Sequence, residues 1–271
     1  MTHNIFPIAV LTFKEGIRQR ILYGIFLFSL VSMIFTLLVS GFFMRDIQKI
    51  LLDLSLSTIS LTALVVPFFI TITIFSKDIE NKTISIFLSR SISRSQYIIG
   101  KFSGILMITA CIYLILTIFS FTTIGIAQLI YPLSFFENLN IPSIAVACGL
   151  SFLSTMTLIS CTILWCCLTT SSFLATLLSI ATYIIGQSTE DLVRFISLEL
   201  ADGVISPATE VTVKAALYLF PNLSSLDYKY YAAYGMSIPP TQATFSIMYA
   251  VSYTFVILLF SVAIFSKKEL A

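Results

Sequence analysis

The residue types that perform covalent or metal chemistry are scarce in this chain. The lone histidine, His3, sits at the N-terminal end, and no H-E-x-x-H pattern exists, so no histidine-based site can form within an apolar core. The five cysteines, Cys111, Cys148, Cys161, Cys166 and Cys167, all lie in apolar runs without C-x-x-C spacing. Thiols so placed act as small packing groups. Gly100-Lys101-Phe102 lacks the earlier glycine and the following Ser/Thr of a phosphate-binding loop, which excludes ATP hydrolysis by that route. What remains is recognition chemistry. Hydroxyls recur on Ser55, Thr58 and Thr62, and again on Thr176, Ser179 and Tyr183. Such groups either hydrogen-bond a passing solute or bond back to their own helix, and the second reading is the commoner. Charge gathers in one place, "DIENKTISIFLSRSISRSQYIIGKF", residues 78–102, between two long uncharged runs.

The elements that must position these residues follow from composition. Of 271 residues, 58% are hydrophobic and 10% charged, against about 25% charged in soluble domains. A mean hydropathy of +1.00 makes lipid the solvent and an all-α integral membrane protein the fold class. A net charge of +2 without a basic stripe argues against nucleic acid as a partner. Apolar runs predict six transmembrane helices at about 21–43, 54–76 (with Pro67 as a kink), 102–130, 141–168, 173–189 and 243–265. The first run follows Lys14, Arg18 and Arg20 but is too long for a signal core and lacks a cleavage site, so it reads as a retained span. The fourth and fifth are separated within 138–189, a stretch without charge, by the polar break "TTSS" at 169–172.

With both termini cytoplasmic, ten Lys/Arg face the cytoplasm and five face outward, while nine of the 13 acids lie outside. This obeys the positive-inside rule. The chain reads as a single transmembrane domain with a cytoplasmic segment at 1–20, a cytoplasmic loop at 77–101 and an outer segment at 190–242. Within the loop, Asp78–Leu88 can form a short helix with Ile79, Lys82, Thr83 and Ile86 on one face, acids at its start and Arg90 past its end. "SRSQ", residues 93–96, is a capping box that starts a helix leading into the third span. A solvated loop whose cations only fix topology is the competing reading. Gly100 and Gly104 form a G-x-x-x-G pattern that marks close helix packing. In the outer segment, Ser206 and Pro207 read as N-cap and first helical residue, and Tyr228, Tyr230, Tyr231 and Tyr234 suit the headgroup boundary. That pattern predicts a cap resting on the outer membrane surface, with a gate or a dock for a periplasmic protein as the alternative.

"KDIENKTISIFLSRSISRSQYIIGKFSGI" resembles the first cytoplasmic loop of ABC-2-type permeases, the membrane subunits of ABC exporters. Glu80, Thr83, Leu88, Ser89, Ile92, Ser93, Arg94, Gly100 and Lys101 occupy the matching positions, while Asn81-Lys82 stands where many relatives carry a glycine before the threonine. "LTFKEGIRQRIL" resembles the family's elbow helix, although Pro7 and Gly16 interrupt its periodicity and no clean apolar face emerges. "LYLFPNLSSLDYKYYAAYG" at 217–235 is similar to the subgroup containing the permease of the nitrous-oxide-reductase maturation exporter.

The resemblance implies a non-catalytic subunit that forms the substrate pathway of an exporter in the plasma membrane, a bacterial inner membrane. It implies a separate ABC ATPase carrying ATP and Mg2+, in two copies, and a second permease copy, the same or different. A periplasmic accessory protein is a further expected partner. The ATPase would dock on Asp78, Ile79, Glu80, Asn81, Lys82, Thr83, Ile86, Phe87, Leu88, Arg90 and Arg94. Spans two and five would line the conduit, which assigns Ser55, Thr58, Thr62, Thr176, Ser179 and Tyr183 to the pathway. The alternative of another class is an ATP-independent membrane scaffold or enzyme of similar topology.

Overall fold

The computed structural model describes residues 5–18, 21–43, 46–80, 93–136, 139–169, 171–194 and 219–267, and among these every regular element is helical. An amphipathic helix, α1 (Ile5–Arg18), precedes α2 (Ile21–Phe42), α3 (Ile47–Glu80), α4 (Arg94–Ile130), α5 (Ile141–Leu168) and α6 (Ser172–Gln187). A short α7 (Lys229–Ala233) leads into α8 (Pro240–Lys267). Five of these, α2 to α5 and α8, are long and apolar enough to cross a membrane, and α6 is a shorter apolar helix. At 1.5 Å per residue, α6 spans roughly 24 Å, below the ~30 Å of a hydrocarbon core.

Local chemistry sets several boundaries. The Ser93 hydroxyl accepts from the Gln96 amide at 3.3 Å while Gln96 Oε1 accepts from the Ser93 amide at 3.0 Å. This reciprocal pair is the capping box read from "SRSQ", and it starts α4 at Arg94. Thr169 caps α5 and Ser171 precedes α6, so the polar break does separate two helices. Asn140 caps α5 by accepting from the Ser143 amide at 3.3 Å, with Pro142 tolerated in the first turn. Gly235, at φ 66°, ends α7. Its amide donates to Ala232 and that of Met236 to Tyr231, the double bond of a left-handed helix terminus that glycine adopts without strain.

One span runs well beyond the expected limits. α3 begins at Ile47 and continues through Pro67 to Glu80, so Asp78–Glu80 are continuous with α3 rather than the start of a separate helix. The apolar window underestimated it because Lys49, Asp53, Lys77, Asp78 and Glu80 interrupt hydropathy without interrupting helix geometry.

The elbow-like segment differs from expectation in a second way. Ile8, Ala9, Thr12 and Gly16 of α1 are buried along one face, which rests on α4. A Cβ added at Gly100 would lie 2.7 Å from Ile8 Cβ, and one at Gly104 would lie 2.6 Å from the Ala9 carbonyl oxygen. One at Gly16 would meet Ile108. The seam is built from small residues on both helices, as in close-packed membrane pairs. Hydropathy could not display it, because glycine, alanine and threonine carry little of that signal. Pro7 sits in the first turn, where its missing N–H has no partner to lose.

The core lies between α3, α4 and α5 and includes a returning segment. Leu223 and Leu226 are buried, as are Tyr228, Ala232 and Ala233. The Leu223 amide donates to the Gly186 carbonyl at 3.0 Å, and the Pro221 oxygen sits where a Gly186 Cβ would be. Tyr228 shares a hydrogen bond with Ser246 of α8. Residues 221–233 are therefore packed against the bundle through Leu223, Leu226, Tyr228, Ala232 and Ala233. Tyr230 and Tyr234 alone of that tyrosine set are exposed. Ser206 and Pro207 lie outside the described residues.

Candidate functional site

At the end of the bundle where α1 lies, three helices bring charge into the interior. Arg94, Tyr97 and Lys101 follow one another at spacings of three and four, which places them on one face of α4. The Lys101 side chain is 2% exposed. Its Nζ sits 2.7 Å from Asp78 Oδ2 on α3 and 3.6 Å from Glu15 Oε2 on α1. The Tyr97 hydroxyl donates to the same Asp78 oxygen. A carboxylate buried this deeply in the bundle is offset by such cationic and hydroxyl partners. The Tyr97 ring stacks on Phe265 of α8 at 5.7 Å between centroids and meets Phe75 of α3 edge-on. Arg94 Nη1 donates to the Phe265 and Ser266 carbonyls at 2.9 and 2.6 Å. This arrangement satisfies orphan acceptors at the C-terminal end of α8.

Four helices, α1, α3, α4 and α8, thus meet in one buried node. Lys101, expected at the end of the 77–101 loop, lies inside α4. The node was hidden in the sequence because its members come from four distant segments. The spacing of Arg94, Tyr97 and Lys101 is the signal that could have found it.

The expected ATPase-coupling residues divide around this node. Asp78 and Arg94 belong to it. Ile79 and Glu80 complete α3, and Asn81, Lys82, Thr83, Ile86, Phe87, Leu88 and Arg90 lie outside the described residues.

The opposite end of the bundle holds a two-lobed cavity between α3, α5, α6 and the returning segment. The deeper lobe, about 270 Å³, is walled by Ser57, Ser154, Tyr183 and Gln187 together with Leu61 and Leu64. Ser60, which also lines it, lies 13 residues into α3, so the lobe reaches roughly 20 Å from the helix start. The outer lobe, about 540 Å³, shares Ser57 and Gln187 with the first and adds Lys49, Asp53, Glu190 and Asp191. Asp227 and Lys229 line both lobes and form an ion pair at 3.0 Å. Lys49 Nζ lies 4.3 Å above the Tyr234 ring.

The sequence-assigned pathway hydroxyls do not gather here. Tyr183 lines the deeper lobe, while Thr176 and Ser179 donate to the Ser172 and Ala175 carbonyls of their own helix. Ser55 and Thr58 face a separate void of about 20 Å³ between α2, α3 and α4, and Thr62 is buried in α3. The cavity is walled by α3 and α6, which carry the sequence-assigned hydroxyls, and by α5 as well, with Ser57, Ser154 and Gln187 among its polar residues.

The geometry is that of a membrane bundle with a charged anchoring node at one end and a polar cavity at the other. The sequence model of the ABC-2 family transporter protein family matches residues 6–270. The chain belongs to that family. No curated protein matches it. As an ABC-2 family transporter protein it is a multi-pass membrane protein and a permease component of an ABC transporter, a class that works with an ATPase partner. Its place in that class agrees with the absence of a phosphate-binding loop from the sequence.

Proposed function

We propose that this ABC-2 permease is the membrane subunit of an exporter whose separate ATPase docks on the loop between α3 and α4. The observation that carries the reading is the Lys101–Asp78 ion pair, buried at 2.7 Å. It clamps together the two helices that flank residues 81–92 in the sequence. A push on the segment moves α3 and α4 together, and through Glu15, Tyr97 and Arg94 it reaches α1 and α8 as well. A packed core transmits such a displacement because it is not continuously deformable.

In this reading ATP and Mg2+ bind to the partner, which supplies all hydrolysis. Two permeases assemble with two ATPases, and the cavity walled by α3, α5 and α6 belongs to the cargo pathway. The ten-to-five cation split supports an orientation with the node and both termini in the cytoplasm and the cavity at the outer face of a bacterial inner membrane. The 217–235 segment supports a place beside the nitrous-oxide-reductase maturation permeases.

The test is co-purification of the chain with a candidate ABC ATPase encoded beside it, followed by ATP hydrolysis in lipid vesicles. The Glu80→Lys and Phe87→Ala variants are read against wild type, with membrane levels as the control. We expect a stable complex whose ATPase pull-down falls at least tenfold in each variant while the permease still inserts. Wild-type binding by both variants would reduce the loop to a topology signal, and transport by the isolated chain on a proton gradient would favour a different class of carrier.

A further inference from the structure

We infer that the two-lobed cavity receives a small organic cation, an ammonium group carried on a short apolar body, as the permease's cargo. This deepens the permease reading and rests on it. The first observation is the state of the polar groups in the deeper lobe. Many hydroxyls of the bundle are committed to carbonyls one turn back, as in Thr71, Thr109, Thr162 and Ser261, and in Ser60 and Thr155 of this lobe. Ser57, Ser154, Tyr183 and Gln187 line the deeper lobe, and their side chains make no hydrogen bond among the described residues. These four groups, contributed by three helices, leave hydrogen-bonding capacity for water or a solute in the lobe. Between them stand Leu61, Leu64, Leu223 and Leu226, a surface suited to an apolar body rather than to a sugar.

Charge at the mouth decides the sign. Among the described residues lining the outer lobe are Asp53, Glu190, Asp191 and Asp227, against Lys49 and Lys229. Lys229 is matched with Asp227 and Lys49 lies over the Tyr234 ring. Four acids against two cations leave the lobe two negative charges in excess, and Asp53, Glu190 and Asp191 are exposed, so the entrance attracts cations and repels anions. An ammonium held among these acids leaves its apolar body to enter between the leucines, with the Tyr183 hydroxyl and the Gln187 amide at its sides.

The experiment uses the full permease in nanodiscs of zwitterionic lipid, titrated calorimetrically with benzyltrimethylammonium, benzyl alcohol and phenylacetate as a matched cation, neutral and anion set. We expect saturable binding of the cation at least tenfold tighter than either of the others. Asp53→Asn and Glu190→Gln should each weaken it about threefold to tenfold. Lys229→Ala, which releases Asp227 from its ion pair, should tighten it, an effect that mere loss of structure would not produce. Equal binding of all three probes, preference for phenylacetate, or weakening by Lys229→Ala would each overturn the inference. If the cation fails to bind while the ATPase complex forms and hydrolyses ATP, the inference falls and the permease reading stands. If it binds but no ATPase pairs with the chain, the permease reading falls.

Discussion

At the level of single residues, the most consequential side chain is Lys101. Its ammonium is almost completely removed from solvent, a position tolerated only with good ion-pair geometry. Lys101→Met should therefore lower thermal stability in detergent by about 3 kcal/mol, because it removes the buried cation that Asp78 and Glu15 face in the node. Adding Asp78→Asn to it should recover most of the loss, since removing both charges also removes the desolvation penalty. A double variant as unstable as Lys101→Met alone would show that the pair is not the source of the effect. The capping box beside it was legible in the sequence because its partners stand three residues apart. The node was not, because Arg94 and Phe265 are separated by 171 positions, and no local pattern records such a contact.

At the level of elements, the α1–α4 seam gives a matched pair of glycine tests. In Gly104→Ala the new methyl would fall 2.6 Å from the Ala9 carbonyl oxygen, a backbone atom that cannot swing aside. The two helices should separate at a cost of about 1–3 kcal/mol. Gly125→Ala on the same helix meets nothing within 4 Å and should stabilise α4 by up to about 1 kcal/mol through helix propensity. Opposite shifts in melting temperature, with α1 cleaved faster by protease only in Gly104→Ala, are the expected outcome. Equal shifts would mean that the seam is looser than its geometry indicates. The sequence displayed the α4 half of this seam as G-x-x-x-G. It concealed the α1 half, whose contact face of Ala9, Thr12 and Gly16 carries little hydropathy. Residues 221–233 were legible only in part for a related reason. Closely spaced tyrosines resemble a membrane-surface belt, yet the neighbouring Leu223 and Leu226 draw the segment into the core, where they are 1% and 0% exposed.

At the level of the whole molecule, the cation distribution makes an orientation test available. In a background without the five native thiols, cysteines at Ser91 and Ala271 should react only with reagents on the cytoplasmic side, and one at Asp202 only from outside. Labelling of position 91 from outside would invert the molecule and move the two-lobed cavity to the cytoplasm. The membrane class and all six apolar helices were legible from uncharged run lengths alone, since lipid demands that each segment satisfy its own backbone. The helix ends and cavity walls were not, because hydropathy treats Ser57, which faces the cavity, like Thr71, which is bonded to its own helix.

The contact of Phe265 with Tyr97, and of Arg94 with the last carbonyls of α8, also bears on biogenesis. Helices are synthesised in chain order, so α1, α3 and α4 wait in the membrane through the making of α5, α6 and the returning segment before α8 seals their shared corner. Throughout that interval the Tyr97 ring lacks its stacking partner, and a nascent chain halted before residue 265 keeps that face open. Chains truncated before Phe265 lose this contact, and pulse-chase should show them degraded faster than the full chain.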